Sequence, residues 1–298
     1  MKTKLIAFLI LCLALTSIWA QPINTEVFRE GKSPVLLGKI NKEGLSGENY
    51  ATWFTENYEE YSPKTEIINQ LKNELNGYTI TAFMGTWCGD SKREVPRFYK
   101  ILDETGFPLQ RFTLVAVSGD QDSYKQSPGG EEEGLNIHRV PTFIFYKDGK
   151  EVNRIVEHPL GTLEEDILAI FRNNYTSNYQ VVAMVYNALA EMGVEKFSKK
   201  SKKLLPKLKV TVKNKYELNT YSSVLFYADK KDKAIAVAHL NTLLFPEEAY
   251  VYTNLAKKLY ETGAKMEALE YYEEALSLDP ENKKAKNGIA MVKGEKTD

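Results

Sequence analysis

The sequence predicts an α/β domain, a central mixed sheet flanked by helices, followed by an all-α domain of helical repeats. Two patterns and the composition carry this prediction. Between Pro63 and Phe171, short apolar runs rich in β-forming residues alternate with segments of helical period. In the last third, Ala234 and Pro246 recur one fixed period later as Ala268 and Pro280. The chain of 298 residues is 43% hydrophobic and 27% charged, which excludes a disordered, collagen-like or disulfide-dense protein. A formal charge of -1 creates no whole-chain field for nucleic acid.

Lys2 and Lys4 precede an apolar stretch from Leu5 to Leu15, and Ala20 is a small residue suited to cleavage. The stretch has the length of a signal-peptide core and is shorter than the roughly 20 residues a spanning helix needs. A signal peptide over 1–20, cleaved after Ala20, is expected. The protein is then exported, to the periplasm or secreted, without a stable membrane span. Leu11 is too bulky for the position before a lipid-modified Cys12. Cleavage removes Cys12 and leaves Cys88 alone, so no internal disulfide can form.

Residues 21–61 read as an N-terminal extension with a short strand at Val35–Leu37 and an aromatic-rich helix over Asn49–Tyr61. Ile67, Ile68, Leu71 and Leu75 set a helix over Thr65–Leu75. Tyr78–Met84 is a buried strand. Val95, Phe98, Ile101 and Leu102 form one stripe of a helix over Glu94–Leu102. Phe112–Val117 and Thr142–Tyr146 are further strands, and Asp148-Gly149 turns the chain back into a hairpin strand over Glu151–Val156. Leu163, Ile167, Leu168 and Phe171 set a helix over Thr162–Phe171. Gly119–Asn136 is a long polar connection, expected to be disordered or functional.

Chemistry concentrates at two points. Thr86-Trp87-Cys88-Gly89-Asp90-Ser91 lies between a strand and a helix. A cysteine there faces unpaired N–H groups and the positive end of the helix dipole, and both favour thiolate over thiol. Ser91, one helical turn on, can donate to that thiolate, while Asp90 opposes it. The second point is Val140-Pro141-Thr142, where a proline opens a strand and removes a ladder donor. The three histidines, His138, His158 and His239, show no metal-ligand spacing. No metal or cofactor is expected.

These segments resemble the thioredoxin-like superfamily. Its signature is W-C-x-x-C at a strand-to-helix turn, a proline eight residues after the first cysteine, and a cis-proline opening a later strand. Trp87-Cys88-Gly89-Asp90-Ser91 matches all but the last cysteine, Pro96 is the helix proline, and Val140-Pro141-Thr142-Phe143 matches the cis-proline segment. The resemblance covers roughly residues 62–173. It implies that Cys88 is the nucleophile, with Ser91 beside it. It further implies that Trp87, Gly89, Asp90, Val140 and Pro141 form the surface that binds an extended client peptide. The family's resolving cysteine is Ser91 here, and its buried strand acid is Ala82. Serine cannot release a mixed disulfide, so a dithiol reductase cycle is not expected.

Tyr252, Leu255, Ala256 and Leu259, followed by Ala268, Tyr272, Ala275 and Pro280, have the spacing of a tetratricopeptide repeat, with Gly263 in its turn. Tyr221, Ser222, Leu225, Ala234 and Pro246 trace a degenerate copy, and Lys283–Val292 can cap the stack. Such repeats commonly present a concave face to protein partners. Nine lysines between Lys196 and Lys215 read as a solvated linker with short helices. The chain thus divides into a signal peptide (1–20), an extension (21–61), a thioredoxin-like domain (62–173), a helical lysine-rich connector (174–214), TPR-like repeats (215–294) and a tail (295–298).

Two functions compete. One is monothiol thiol–disulfide exchange, or mixed-disulfide capture of client proteins, through Cys88, with the repeats recruiting a protein partner. The other is a non-enzymatic adaptor that uses a redox-inactive thioredoxin-like domain and the repeats as binding surfaces.

Overall fold

The structure, a computed structural model, describes residues 22–295. The segment read as a signal peptide, with Cys12, lies outside the described residues. Six strands form one mixed sheet: β1 (Thr25–Arg29), β2 (Lys32–Ile40), β3 (Thr79–Met84), β4 (Phe112–Ala116), β5 (Thr142–Lys147) and β6 (Lys150–Val156). Their spatial order is β1-β2-β4-β3-β5-β6. Only the β3–β4 pair is parallel, in register Ala82 to Leu114, and the other pairs are antiparallel. The extension is therefore part of the sheet, because β2 pairs directly with β4.

Central strand β3 is buried on both faces, and its side chains alternate between two cores. Ile80, Ala82 and Met84 join the larger core, built on α2 (Ala51–Glu59), α3 (Thr65–Glu74), α4 (Gly89–Thr105) and α5 (Leu163–Phe171). Phe98 of α4 stacks on Phe143 of β5 at 4.3 Å between ring centroids. Fully burying an aromatic or aliphatic side chain of this size contributes roughly 1.5–3 kcal/mol. Phe83 points the other way, with Val115, Val117 and Ile144, and is covered by Ile137 and Val140. A four-residue helix, α1 (Lys42–Leu45), tucks Leu45 under the sheet edge.

The polar connection 119–136 is not disordered. Its backbone closes on itself through Lys125 N to Ser118 O and Ser118 N to Gln126 O, each 2.8 Å. Ser127 then ties the following turn by donating to Glu131 and accepting from the Glu131 N–H. The segment is ordered because it roofs the second core, a long-range demand that local composition does not reveal.

All-α structure follows: α6 (Gln180–Lys209), α7 (Tyr216–Tyr227), α8 (Lys231–Leu244), α9 (Ala249–Glu261), α10 (Lys265–Leu278) and α11 (Lys283–Lys293). Buried Ala234, Ala256, Ala268, Ala275 and Ala285 let these helices approach, while Tyr221, Leu255, Leu259 and Tyr272 fill the spaces. Helix α6 breaks at Gly193, where φ is 70°. Its second half carries most of the lysine-rich stretch. Phe197, Ser201 and Leu208 bury one face there, which outweighs repulsion among lysines that point to solvent. Among the described residues, no helix is long and apolar enough to cross a membrane.

Candidate functional site

The chain leaves β3 at Met84 and enters α4 at Gly89, with Cys88 as its N-cap in extended conformation. Cys88 N donates to Gly85 O (2.9 Å) and Lys92 N donates to Cys88 O (3.0 Å), so the turn is anchored on both sides. Thr86 Oγ1 accepts from Leu36 N at 3.2 Å, which ties the turn to β2. Trp87 lies over two glycines: a Cβ at Gly85 or Gly119 would meet its indole at 2.5 and 2.7 Å. The indole Nε1 donates to Val117 O at 2.9 Å.

The two points singled out in the sequence meet here. Cys88 Sγ is partly exposed and donates to Val140 O at 3.2 Å. The Val140–Pro141 peptide is cis, and Pro141 O accepts from Glu157 N at 2.7 Å. Asp90 is ion-paired with Arg93 at 2.8 Å, so its charge is matched within its own helix. Ser91 is fully buried, and its Oγ accepts from Gly85 N at 3.1 Å. Its oxygen therefore stabilises the turn beneath Cys88. Gly89 starts the helix with open space at its Cβ position.

Several residues at the site carried no local signal. Lys125 is 4% exposed. Its ammonium stands 5.0 Å from the Trp87 ring centre and 4.5 Å from that of Tyr124. Burial pushes this ammonium down to about 8, an effect the Cys88 charge opposes. His138 is buried between the edges of Tyr179 and Tyr221. Burial lowers its pKa to about 3 despite the Nδ1 contact with Asn136 O at 3.1 Å. Because that partner is a carbonyl, Nδ1 carries the proton, and Nε2 is left without a partner. His158 is half exposed beside Glu157, and His239 packs near Tyr271 on the repeats, so the three histidines do not meet.

The helical domain packs against this site. Gln121 Nε2 donates to Tyr227 Oη and Gln126 Nε2 to the Tyr227 carbonyl, both at 2.6 Å. Arg139 bridges Glu157 (3.0 Å) and Thr220 of α7 (3.2 Å). A cavity of about 120 Å³ lies between the two domains, lined by Lys125, Gln126, Ile137, Tyr186, Tyr221 and Leu225. In the sequence, the one hint of this junction is that the long polar connection Gly119–Asn136 lies just upstream of Pro141.

No protein-family profile matches the chain. Individual relatives do. A thioredoxin of Malassezia sympodialis is 32% identical over 90 residues, covering 30% of this chain and 78% of the relative. A thioredoxin of Aspergillus fumigatus is 28% identical over 104 residues, 35% of this chain and 87% of the relative. A TPR repeat-containing thioredoxin of Arabidopsis thaliana is 30% identical over 108 residues, 36% of this chain but only 25% of the relative.

Proposed function

The chain belongs to the thioredoxin family, and on that premise we propose that it is an exported monothiol exchange protein. The observation that carries the proposal is the meeting of Cys88 Sγ, at the start of α4, with the carbonyl of Val140 next to Pro141. A thiol so placed is accessible to a disulfide, and the neighbouring backbone can take an extended client segment by strand addition.

In the proposed reaction the Cys88 thiolate attacks one sulfur of a client disulfide. A Cys88–client disulfide forms, the client disulfide breaks, and the departing sulfur leaves as a thiolate that takes a proton from solvent. Ser91 cannot resolve the product, so release requires a second thiol, from the client or from a small thiol. Trp87, Gly89, Asp90, Val140 and Pro141 form the client surface, and the TPR-like repeats recruit a protein partner. The signal-like segment at the N-terminus supports export, to a compartment where disulfides persist.

The test is a non-reducing gel of the protein recovered from its native compartment, beside Cys88→Ala. Without a resolving cysteine the wild type traps its own clients. Bands of higher mass that disappear with dithiothreitol, and are missing from the variant, support exchange. A single band in both lanes overturns it and leaves the adaptor role, in which Cys88→Ser binds the same partners as the wild type.

A further inference from the structure

Arg139 directly precedes the backbone that meets Cys88. Val140 O lies 3.2 Å from Cys88 Sγ. One terminal nitrogen of the Arg139 guanidinium donates to Glu157 Oε1 at 3.0 Å, and the other donates to Thr220 Oγ1 of α7 at 3.2 Å. Its central carbon stands 4.9 Å from the ring centre of Tyr179, the residue that opens α6. The residue after β6, the start of α6 and the middle of α7 therefore converge on this one side chain.

The main chain of the same segment is tied as well. Arg139 O accepts from Thr142 Oγ1 at 2.7 Å, and Pro141 O accepts from Glu157 N at 2.7 Å. Glu157 thus grips the segment twice, through its own N–H and through its carboxylate on Arg139. Its second carboxylate oxygen accepts from Tyr179 Oη, and half-exposed His158 lies 3.6 Å from that oxygen. The Arg139 and Glu157 side chains are 21% and 16% exposed, so water and salt screen this pair less than a surface pair. Nearby carboxylates are committed elsewhere: Asp90 to Arg93, Glu131 and Glu132 to Ser127, and Glu217 to the amides of Lys213 and Asn214. Lys125 makes no hydrogen bond to residues 138–142 among the described residues. Arg139 Nε is buried without a partner. The guanidinium is a rigid fork, and its placement satisfies Glu157 and Thr220 at the expense of that third donor.

We propose that Arg139 is a positioning residue of the exchange site, fixing the Val140–Pro141 backbone between Glu157 and helix α7. The inference rests on the exchange reading and deepens it. Attack on a disulfide requires the client sulfur in line with Cys88 Sγ. A client strand holds that line only where the backbone it pairs with is itself fixed. Through Thr220 the helical domain supports the exchange site, in addition to offering a surface for a partner.

The experiment compares two disulfides in wild type, Arg139→Lys and Thr220→Val. One is a short extended peptide whose single cysteine is joined to 2-nitro-5-thiobenzoate. The other is N-acetylcysteine amide joined to the same group. In both, the Cys88 thiolate attacks the cysteine sulfur, the disulfide breaks, and the coloured thiobenzoate leaves as a stable thiolate. The ratio of the two rates measures what the client backbone contributes. Arg139→Lys keeps the charge and loses the fork, and Thr220→Val keeps the shape and loses the acceptor. The ratio is expected to fall about three- to tenfold in Arg139→Lys and by less in Thr220→Val, with the small disulfide reacting as in wild type. An unchanged ratio in both variants, whether or not the absolute rates fall, overturns the proposal.

A second measurement needs no thiol chemistry. The Glu157 amide, whose acceptor is Pro141 O, is followed by hydrogen–deuterium exchange. Its protection is expected to drop in both variants relative to the amides of β3, and unchanged relative protection overturns the clamp. If wild type forms the peptide adduct and neither measurement responds, the positioning role fails and thiol exchange stands. If the Glu157 amide responds and wild type forms no adduct, thiol exchange fails and the Arg139 clamp stands.

Discussion

The Cys88 sulfur donates a 3.2 Å hydrogen bond to the carbonyl oxygen of Val140, 52 residues further along the chain. The contact belongs to the protonated thiol, because a thiolate has no hydrogen to give. Ionisation must turn the sulfur away from a lone pair that now repels it. The same carbonyl loses this donor when the sulfur enters a mixed disulfide.

This bond separates two substitutions that both remove the thiol. Cys88→Ser keeps a donor at the N-cap, where serine is also a favoured residue. Cys88→Ala leaves the Val140 carbonyl without a partner beside a buried backbone. The expected result is a Ser variant at least as stable as wild type and an Ala variant about 1 kcal/mol less stable. Chemical denaturation of the three proteins side by side checks this, and equal midpoints for Ser and Ala would remove the role given to the Val140 bond.

Ser91→Cys places a second thiol one helical turn from the first. The Gly85 N–H loses its oxygen acceptor (3.1 Å) and gains a sulfur, which accepts weakly, so a loss of about 1 kcal/mol is expected in the reduced protein. Function should move the other way. With two thiols the protein is expected to reduce insulin disulfides in the presence of a dithiol reductant, while the wild type does not turn over. A folded variant with no insulin reduction would show that the remainder of the site does not support dithiol exchange.

Much of this site was legible in the sequence, and the reasons are physical. Trp87-Cys88-Gly89-Asp90-Ser91 and Val140-Pro141 are local patterns whose spacing implies one geometry, and in the structure Cys88 and Val140 meet. The alanine and proline recurrence of the repeats is equally local. Lys125 and His138 were not legible, because a lysine or histidine in a polar segment is solvated by default. Their burial depends on Trp87, on the rings of Tyr179 and Tyr221, and on α7, all far away in the chain. Strand β1 was missed for a similar reason: it is an edge strand that, among the described residues, pairs with β2 alone.

The buried His138 makes stability sensitive to acid. In the unfolded chain the imidazole titrates near its ordinary 6.5, whereas burial lowers it to about 3 in the folded protein. Below 6.5 the unfolded chain takes up a proton that the folded chain refuses. Its contribution is therefore complete above 6.5 and is lost as the pH falls toward about 3, by at most about 1.4 kcal/mol per pH unit. His138→Phe keeps a ring between Tyr179 and Tyr221 and removes this titration. Its unfolding free energy is expected to fall less steeply than that of wild type between pH 6.5 and 4, and parallel curves would reject the assignment.

Gly288 sets helix propensity against packing in the capping helix α11. Alanine is favoured over glycine inside a helix by about 1 kcal/mol. A Cβ at Gly288, however, would stand 2.2 Å from the ring of Tyr272, with two further ring atoms within 2.5 Å. Tyr272 is only 2% exposed and sits in the same core as Leu255, Leu259 and Ala268, so the ring cannot swing into solvent. Overpacking of this kind costs roughly 1–3 kcal/mol, and the clash outweighs the propensity gain. Gly288→Ala is expected to destabilise the protein and to expose the 283–293 segment to limited proteolysis. Tyr272→Leu also destabilises, by creating space, but adding Gly288→Ala to it should then cost little or restore stability, because the methyl group fills part of that space. Additive losses in the double variant would mean that the two residues do not share this contact.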